Sequence, residues 1–256
     1  MFIDTHCHLD SGEFDGKIEQ ILASCQAQNV NYFIIPGASI KDLKKAMSLS
    51  QTFESIYFSV GIHPNEIESL DSKTLDFMQD CALHKKCLAI GEIGLDYHYK
   101  NDEATKKAQE SALRTQITLA IKLQKPIIIH TRESTADIIS ILKDYESSLG
   151  NVIFHCFSGD MRLVGALKCK CFYGIGGVIS FKNAKALQES IKHLPLDSIL
   201  LETDAPYLAP TPHRGKVNSP VFIPLIASHL AQNLNVSIEN IAEISTKNAF
   251  EAFKFN

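Results

Sequence analysis

Eight short apolar runs, each followed by a polar or helix-patterned stretch, recur along all 256 residues of this chain. They lie near residues 2–6, 31–36, 56–60, 88–93, 126–131, 152–155, 172–175 and 198–202. Tyr32-Phe33-Ile34-Ile35 and Ile127-Ile128-Ile129 are apolar without alternation, as strands buried on both faces of a parallel sheet require. Between the runs come helical stripes. Ile18, Ile21, Leu22 and Cys25 recur at i, i+3, i+4 and i+7. Ala112, Leu113, Gln116, Leu119, Ala120 and Leu123 keep the same period in a helix opening near Asp102. It must stop before Pro126, because the residue preceding a proline avoids the helical region. Further helices are expected from Ser39 or Lys41 to near Thr52, from Asp71 to near His84, and through Phe222, Leu225, Ile226, His229 and Leu230. A last one opens at Ser237, an N-cap with Glu239 in its first turn. Eight strands alternating with helices over this length predict an α/β fold, a single-domain (β/α)8 TIM barrel over 1–256, rather than a doubly wound open sheet. No Gly-x-Gly-x-x-Gly follows the first strand, which weakens a dinucleotide-binding reading.

In such barrels the chemistry sits at the C-terminal ends of the strands. The first run ends in Asp4-Thr5-His6-Cys7-His8, and alternation puts Asp4, His6 and His8 on one face. The third leads into Gly61-Ile62-His63-Pro64, and the fourth ends at Glu92 with Asp96 close behind. The fifth ends in His130-Thr131-Arg132, the sixth at His155 and the eighth in Glu202-Thr203-Asp204. His6, His8, Glu92, His130, His155 and Asp204 therefore reach one rim from five strands. Nitrogen and oxygen ligands without thiolate suit Zn, Mn, Fe, Ni or Mg better than a closed structural zinc site. Six ligands are too many for one ion with an open position. Two ions about 3.5–4 Å apart, sharing a carboxylate and a water, would use them. His6 and His8 share a strand and would hold one ion; His130 and His155, on neighbouring strands, would hold the other. Glu92 would bridge, and Asp204 would reach the first ion and accept a proton from the water. His229 lies on an apolar stripe and reads as a core residue, and His84 and His193 read as solvated. Cys7 and Cys156 alternate away from the site.

Arg132, Lys182, His213, Arg214 and Lys216 stand around the same rim, with His63 at the third strand, and such groups neutralise phosphate. Pro212-His213-Arg214-Gly215-Lys216 is a basic loop within the non-periodic stretch 203–220, and loops of that length are more often functional than idle. Tyr207 is placed either to stack on a base or ribose or to pack under the loop. A net charge of −4 does not suit a protein that coats nucleic acid, but it leaves room for a local basic cleft. Seven cysteines, an odd number without zinc-ribbon spacing, are expected as free thiols in a reducing cytoplasm. No apolar run reaches the ~18 residues of a membrane span, and no secretory signal is expected.

DTHCHLD at 4–10, GIHP at 61–64, GEIGLDY at 91–97, KPIIIHTRES at 125–134, FHCFSG at 154–159, ETDAPYLAP at 202–210 and PHRGKVNSP at 212–220 resemble, in order and over essentially the whole chain, the TatD family of metal-dependent deoxyribonucleases. The resemblance implies a (β/α)8 barrel of the wider amidohydrolase-like type. It also implies divalent metals at His6, His8, Glu92, His130, His155 and Asp204, and 3′-to-5′ exonuclease or DNase activity. Asn65 stands where relatives commonly carry another histidine, and Val217 and Ser219 where the loop is often charged. These departures bear on substrate grip and not on the metal positions.

The expected reaction is hydrolysis of DNA, at single strands or 3′ ends, by a hydroxide held between two divalent ions (Mg, Mn or Zn). Asp204 is the expected base, and Glu92 the bridge. Arg132, Arg214, Lys216 and His63 would hold the phosphate. One alternative is a dimetal amidohydrolase or esterase on a small or aminoacyl-nucleic acid substrate, since the same hydroxide attacks carbon. Another is a non-enzymatic metal-binding scaffold, which would have no need of an open dimetal site. The basic loop at 213–216 favours phosphodiester.

Overall fold

The strands β1 (Phe2–Asp4), β2 (Val30–Ile35), β3 (Ile56–Val60), β4 (Cys87–Asp96), β5 (Ile127–Arg132), β6 (Val152–Phe154), β7 (Cys171–Ile175) and β8 (Ile199–Leu201) form one parallel sheet in chain order. This computed structural model describes residues 1–255. β8 meets β1 through single links: Thr5 N–H donates to Leu201 O (3.0 Å) and Asp204 N–H to His6 O (2.9 Å). The sheet thus curls into a nearly closed (β/α)8 TIM barrel, as expected.

Helices α1 (Ile18–Gln26), α2 (Ile40–Thr52), α3 (Ser72–Ala82), α4 (Glu103–Leu123), α5 (Thr135–Asp144), α6 (Lys185–Ser190), α7 (Ile223–Leu234) and α8 (Ile238–Phe253) fill the connections. Four starts are fixed by side chains that accept an orphan backbone N–H. Ser39 takes Asp42 N, Asp71 takes Thr74 N, Asp102 takes Thr105 N and Ser237 takes Asn240 N. α4 ends at Gln124 in the left-handed conformation, just ahead of Lys125-Pro126.

One inward residue from nearly every strand packs inside the barrel, including Ile3, Ile34, Ala89, Ile128, Ile153, Phe172 and Leu200. Ala249, Ala252 and Phe253 of α8 join them. α8 lies across the N-terminal mouth, where Thr246 bonds Met1 O and Asn151 bonds Glu251 O. That mouth is closed by packing, which leaves the opposite rim for chemistry.

β1 is shorter than expected and β4 longer. Past Asp4 the chain turns to β8, so His6 and His8 lie beyond the regular ladder. β4 shifts register between Ile90 and Ile93 and then runs on to Asp96. This bulge re-aims Glu92. Close approach makes Gly94 obligatory: a Cβ there would lie 1.9 Å from His130 O, at a φ of +155°. Gly94→Ala must push β4 from β5, and we expect a loss of roughly 3 kcal/mol of stability in urea unfolding. A wild-type midpoint would refute the close approach.

Candidate metal centre

All six nitrogen and carboxylate candidates converge on one point of the C-terminal rim. Glu92 Oε1 lies 2.7 Å from His130 Nδ1 and 2.8 Å from His155 Nε2. Its other oxygen lies 3.2 Å from His6 Nε2. Asp204 Oδ1 stands 3.6 Å from His8 Nε2 and 3.8 Å from His6 Nε2. His130 Nδ1 and His155 Nε2 are 3.2 Å apart, and the rings of His6 and His155 stack at 4.1 Å. Glu92 thereby turns one oxygen to each histidine group.

Local sequence explains the placement. Asp4 does not join its face-mates His6 and His8. Its carboxylate accepts from His6 N–H, Thr203 N–H and the Thr203 hydroxyl, tying the end of β1 to the end of β8. Burial pushes it up to about 7 against those three bonds. Cys7 turns away from the site into the layer between sheet and helices, with Sγ toward Ile34 O, so the expected alternation survives past the strand. Asp204 has a φ of +56°, a left-handed conformation that Asp and Asn tolerate better than most residues.

The donor set fits divalent ions. His6 is 1% exposed, and among the described residues neither of its ring nitrogens has a hydrogen-bond partner. Its Nε2 is near Glu92 without the alignment of a hydrogen bond, a costly state for a buried polar atom unless a ligand completes it. Imidazole nitrogens from His130, which is hydrogen-bonded to Glu92, and from His155 crowd onto the same carboxylate oxygen. All contributing atoms are nitrogen or oxygen.

Two carboxylates that the sequence reading noted without assigning a role stand behind the rings, Asp96 bonded to His130 and Glu202 facing His155 beyond hydrogen-bond reach. Asp96 Oδ2 is 3.3 Å from His130 Nε2 and receives Asn65 Nδ2–H. Glu202 Oε1 accepts Cys156 N–H and lies 3.7 Å from His155 Nδ1. A bonded partner such as Asp96 places the lone pair of the opposite ring nitrogen toward an ion. The signal of both carboxylates was present in period two, since Asp96 follows Glu92 by four residues and Glu202 precedes Asp204 by two.

Electrostatics follow from burial opposed by pairing. Burial alone would raise Glu92, but the charge of His155 and the close pairing with His130, His155 and His6 hold it well below the usual carboxylate range. Burial would lower His155, but Glu92 and Glu202 keep it well above the usual imidazole value. His63 goes the other way: burial pushes it down to about 4 despite Glu92. Asn65 N–H donates to His63 Nδ1 (3.1 Å), so its proton sits on Nε2, 3.5 Å from Glu92 Oε1. His63 is therefore a neutral donor beside the cluster, not a positive charge. Its place within ligand distance of Glu92 and His130 does not make it a ligand in that tautomer.

The remaining phosphate candidates are spread along the rim. The Arg132 guanidinium lies 5.1 Å over the Tyr99 ring, and that of Arg214 4.3 Å over Phe181. His213 stacks on Phe222 at 4.4 Å, and Lys182 and Lys216 are exposed. None is brought into contact with the six. Tyr207 is 60% exposed, with its ring 6.0 Å from that of His8. Of the other histidines, His193 is exposed and His229 half-buried on α7. His84 is half-buried against Phe58, less solvated than expected. Lys41, Lys44 and Lys45, which the motif reading passed over, line a groove that opens at His8.

The family model for TatD related DNase matches residues 3–254. The metal-dependent hydrolase YabD of Bacillus subtilis (strain 168) is 35% identical, with all of both chains covered. The crystal structure of YjjV, a TatD homologue from Escherichia coli K12, superposes with a TM-score of 0.90 at 29% identity, covering 99% of this chain and 98% of that one. An amidohydrolase from Saccharomyces cerevisiae shares the fold, with a TM-score of 0.84 at 17% identity over 98% of this chain and 99% of that one.

Proposed function

Since the chain belongs to the TatD-related family of metal-dependent hydrolases, we propose that it is a DNase that hydrolyses phosphodiester bonds at single-stranded or 3′ ends, as a 3′-to-5′ exonuclease. The observation that carries the reading is Glu92, with one oxygen toward His130 and His155 and the other toward His6.

His6, His8, Glu92 and Asp204 would hold one divalent ion, and Glu92, His130 and His155 a second. Bound there, Mg, Mn or Zn would lower the pKa of water and stabilise negative charge on the attacked phosphate. The protein's own residues do the rest. Asp96 holds the ring of His130 in register, and Glu202 places a negative charge beside that of His155. Asp204 stays ionised, because the pairing with His8 and the charges of His6 and His155 outweigh its burial. Its carboxylate accepts the proton of the attacking water. His63 Nε2–H donates to a non-bridging phosphate oxygen. Tyr207 offers a stacking face, and Arg132, Arg214 and Lys216 draw the polyanion to the rim. Among the described residues no single helix is long and apolar enough to cross a membrane. All seven cysteines are unpaired, which supports a cytoplasmic setting.

The test is incubation of purified protein with 5′-end-labelled single-stranded DNA, with and without Mg, Mn or Zn. Metal-dependent shortening from the 3′ end is expected. No cleavage with any ion, together with turnover of an amide or carboxylic ester, would transfer the site to the amidohydrolase reading.

A further inference from the structure

We propose that the groove between the loop after β1 and helix α2 holds the polynucleotide backbone leading away from the cleaved bond. It gives the enzyme a nucleotide subsite beside the reacting phosphate. The inference rests on the phosphodiesterase reading of the metal centre and names where its substrate continues.

The groove has a volume of about 810 Å³ and opens at His8 and Tyr207, so it is continuous with the candidate centre. One wall is α2. Lys41, Lys44, Lys45 and Ser48 line it at i, i+3, i+4 and i+7, one face of a helix, while Leu43, Ala46 and Ser50 are buried. Lys41 and Lys45 are separated by about 6 Å along the axis, so the stripe follows a strand rather than meeting a single charge.

Three aspartates, Asp10, Asp15 and Asp42, line the same groove as the three lysines, so its formal charges balance, and what matters is which lysines are left without a partner. Asp15 is paired with Lys45, and Asp42 accepts the Ser39 hydroxyl at 2.6 Å. Among the described residues neither Lys41 nor Lys44 has a carboxylate within 4.0 Å. Lys41 is free to meet phosphate, and the Lys44 ammonium lies 5.7 Å over the Phe77 ring, a contact a long side chain can exchange for a phosphate. Tyr207, on the rim, supplies an aromatic face, the usual companion of a basic track for single strands.

Asp10 shows that the ligand is more than an anion. It is 5% exposed and lines the groove, and among the described residues neither carboxylate oxygen has a hydrogen-bond partner. A pocket for inorganic phosphate alone gains nothing from a buried acceptor. A nucleotide supplies both halves, with phosphates for the lysines and a base amine for Asp10.

The experiment compares two substrates in wild type, Lys41→Ala/Lys44→Ala and Asp10→Asn. One is a ten-nucleotide single-stranded DNA; the other is bis(p-nitrophenyl) phosphate, too short to enter the groove. The double variant should raise KM for DNA about tenfold and flatten its salt dependence by about 1.4 in log–log slope. Asp10→Asn should raise it about threefold. Turnover of the ester should not change. Lys122→Ala/Lys143→Ala, in the last turns of α4 and α5, controls for net charge. Hydrolysis of both substrates with an unchanged DNA-to-ester ratio in the groove variants overturns the subsite and spares the active-site reading. Hydrolysis of neither overturns the active-site reading. Fluorescence anisotropy of the labelled oligonucleotide in chelator then judges the groove alone, and equal affinity in wild type and double variant overturns it.

Discussion

Glu92→Ala is expected to abolish hydrolysis, with kcat lowered at least about a thousandfold, and to remove bound metal from both positions. The reason is placement. Its two oxygens face different histidine groups, so one substitution takes a ligand from each. The carboxylate is also the counter-charge that keeps His155 far above its usual value, so its loss leaves buried imidazoles without a partner. His8→Ala serves as the contrast. His8 faces Asp204 alone among the acidic ligands, so its loss should spare the ion at His130 and His155. Metal analysis after gel filtration reads both results. A Glu92→Ala protein that still carries two ions would end the bridging assignment.

The second large effect is expected at Asp204→Asn, with a fall in kcat of about 10²–10⁴ and little change in stability. Asn keeps the shape and tolerates the φ of +56°, so the loss reports on the carboxylate. The pH dependence separates this from a metal effect. Asp204 is held below the usual carboxylate range, so it stays ionised through neutral pH and sets no limb there. His130 and His155 are raised in the metal-free protein. A raised imidazole is more often protonated at a given pH, and the proton must leave before an ion binds. Metal affinity should therefore rise with pH, and binding should release protons, measurable by calorimetry in buffers of different ionisation enthalpy. The acid limb of activity should persist in Asp204→Asn with only its height reduced. A limb that vanishes with the substitution would assign it to Asp204 instead.

The strand order and the six converging residues were readable because both depend on backbone period. Strand ends and alternation place Cβ atoms, and a histidine or carboxylate is short enough to follow its Cβ. Long side chains are not. Arg132 and Arg214 were expected to hold phosphate at the rim, and their guanidinium groups settle on Tyr99 and Phe181, which no spacing rule encodes. His63 was read as a phosphate-holding residue without a charge state. Its tautomer depends on one backbone N–H, that of Asn65. The lysines of α2 were hidden for another reason: a net charge of −4 averages away a stripe of one helix face. The apolar stripe of α5, Ile138, Ile141 and Leu142, was legible by the same rule as the others and was simply not singled out.

The seam between β1 and β8 has a consequence for how the molecule is made. Its links join residues about two hundred positions apart, Thr5 to Leu201, His6 to Asp204 and Asp4 to Thr203. A chain leaving the ribosome N-terminus first therefore carries His6 and His8 about two hundred residues before Asp204. Until then that ion position lacks its last acid, and the two exposed imidazoles are free to bind stray cations in the wrong company. An ion that engages both sides of the seam acts as a clasp on a very long loop, and such closures remove the most disorder from the unclasped chain. The metal supply of the cell would then influence how much of this protein reaches its final form, as well as how fast the finished enzyme turns over.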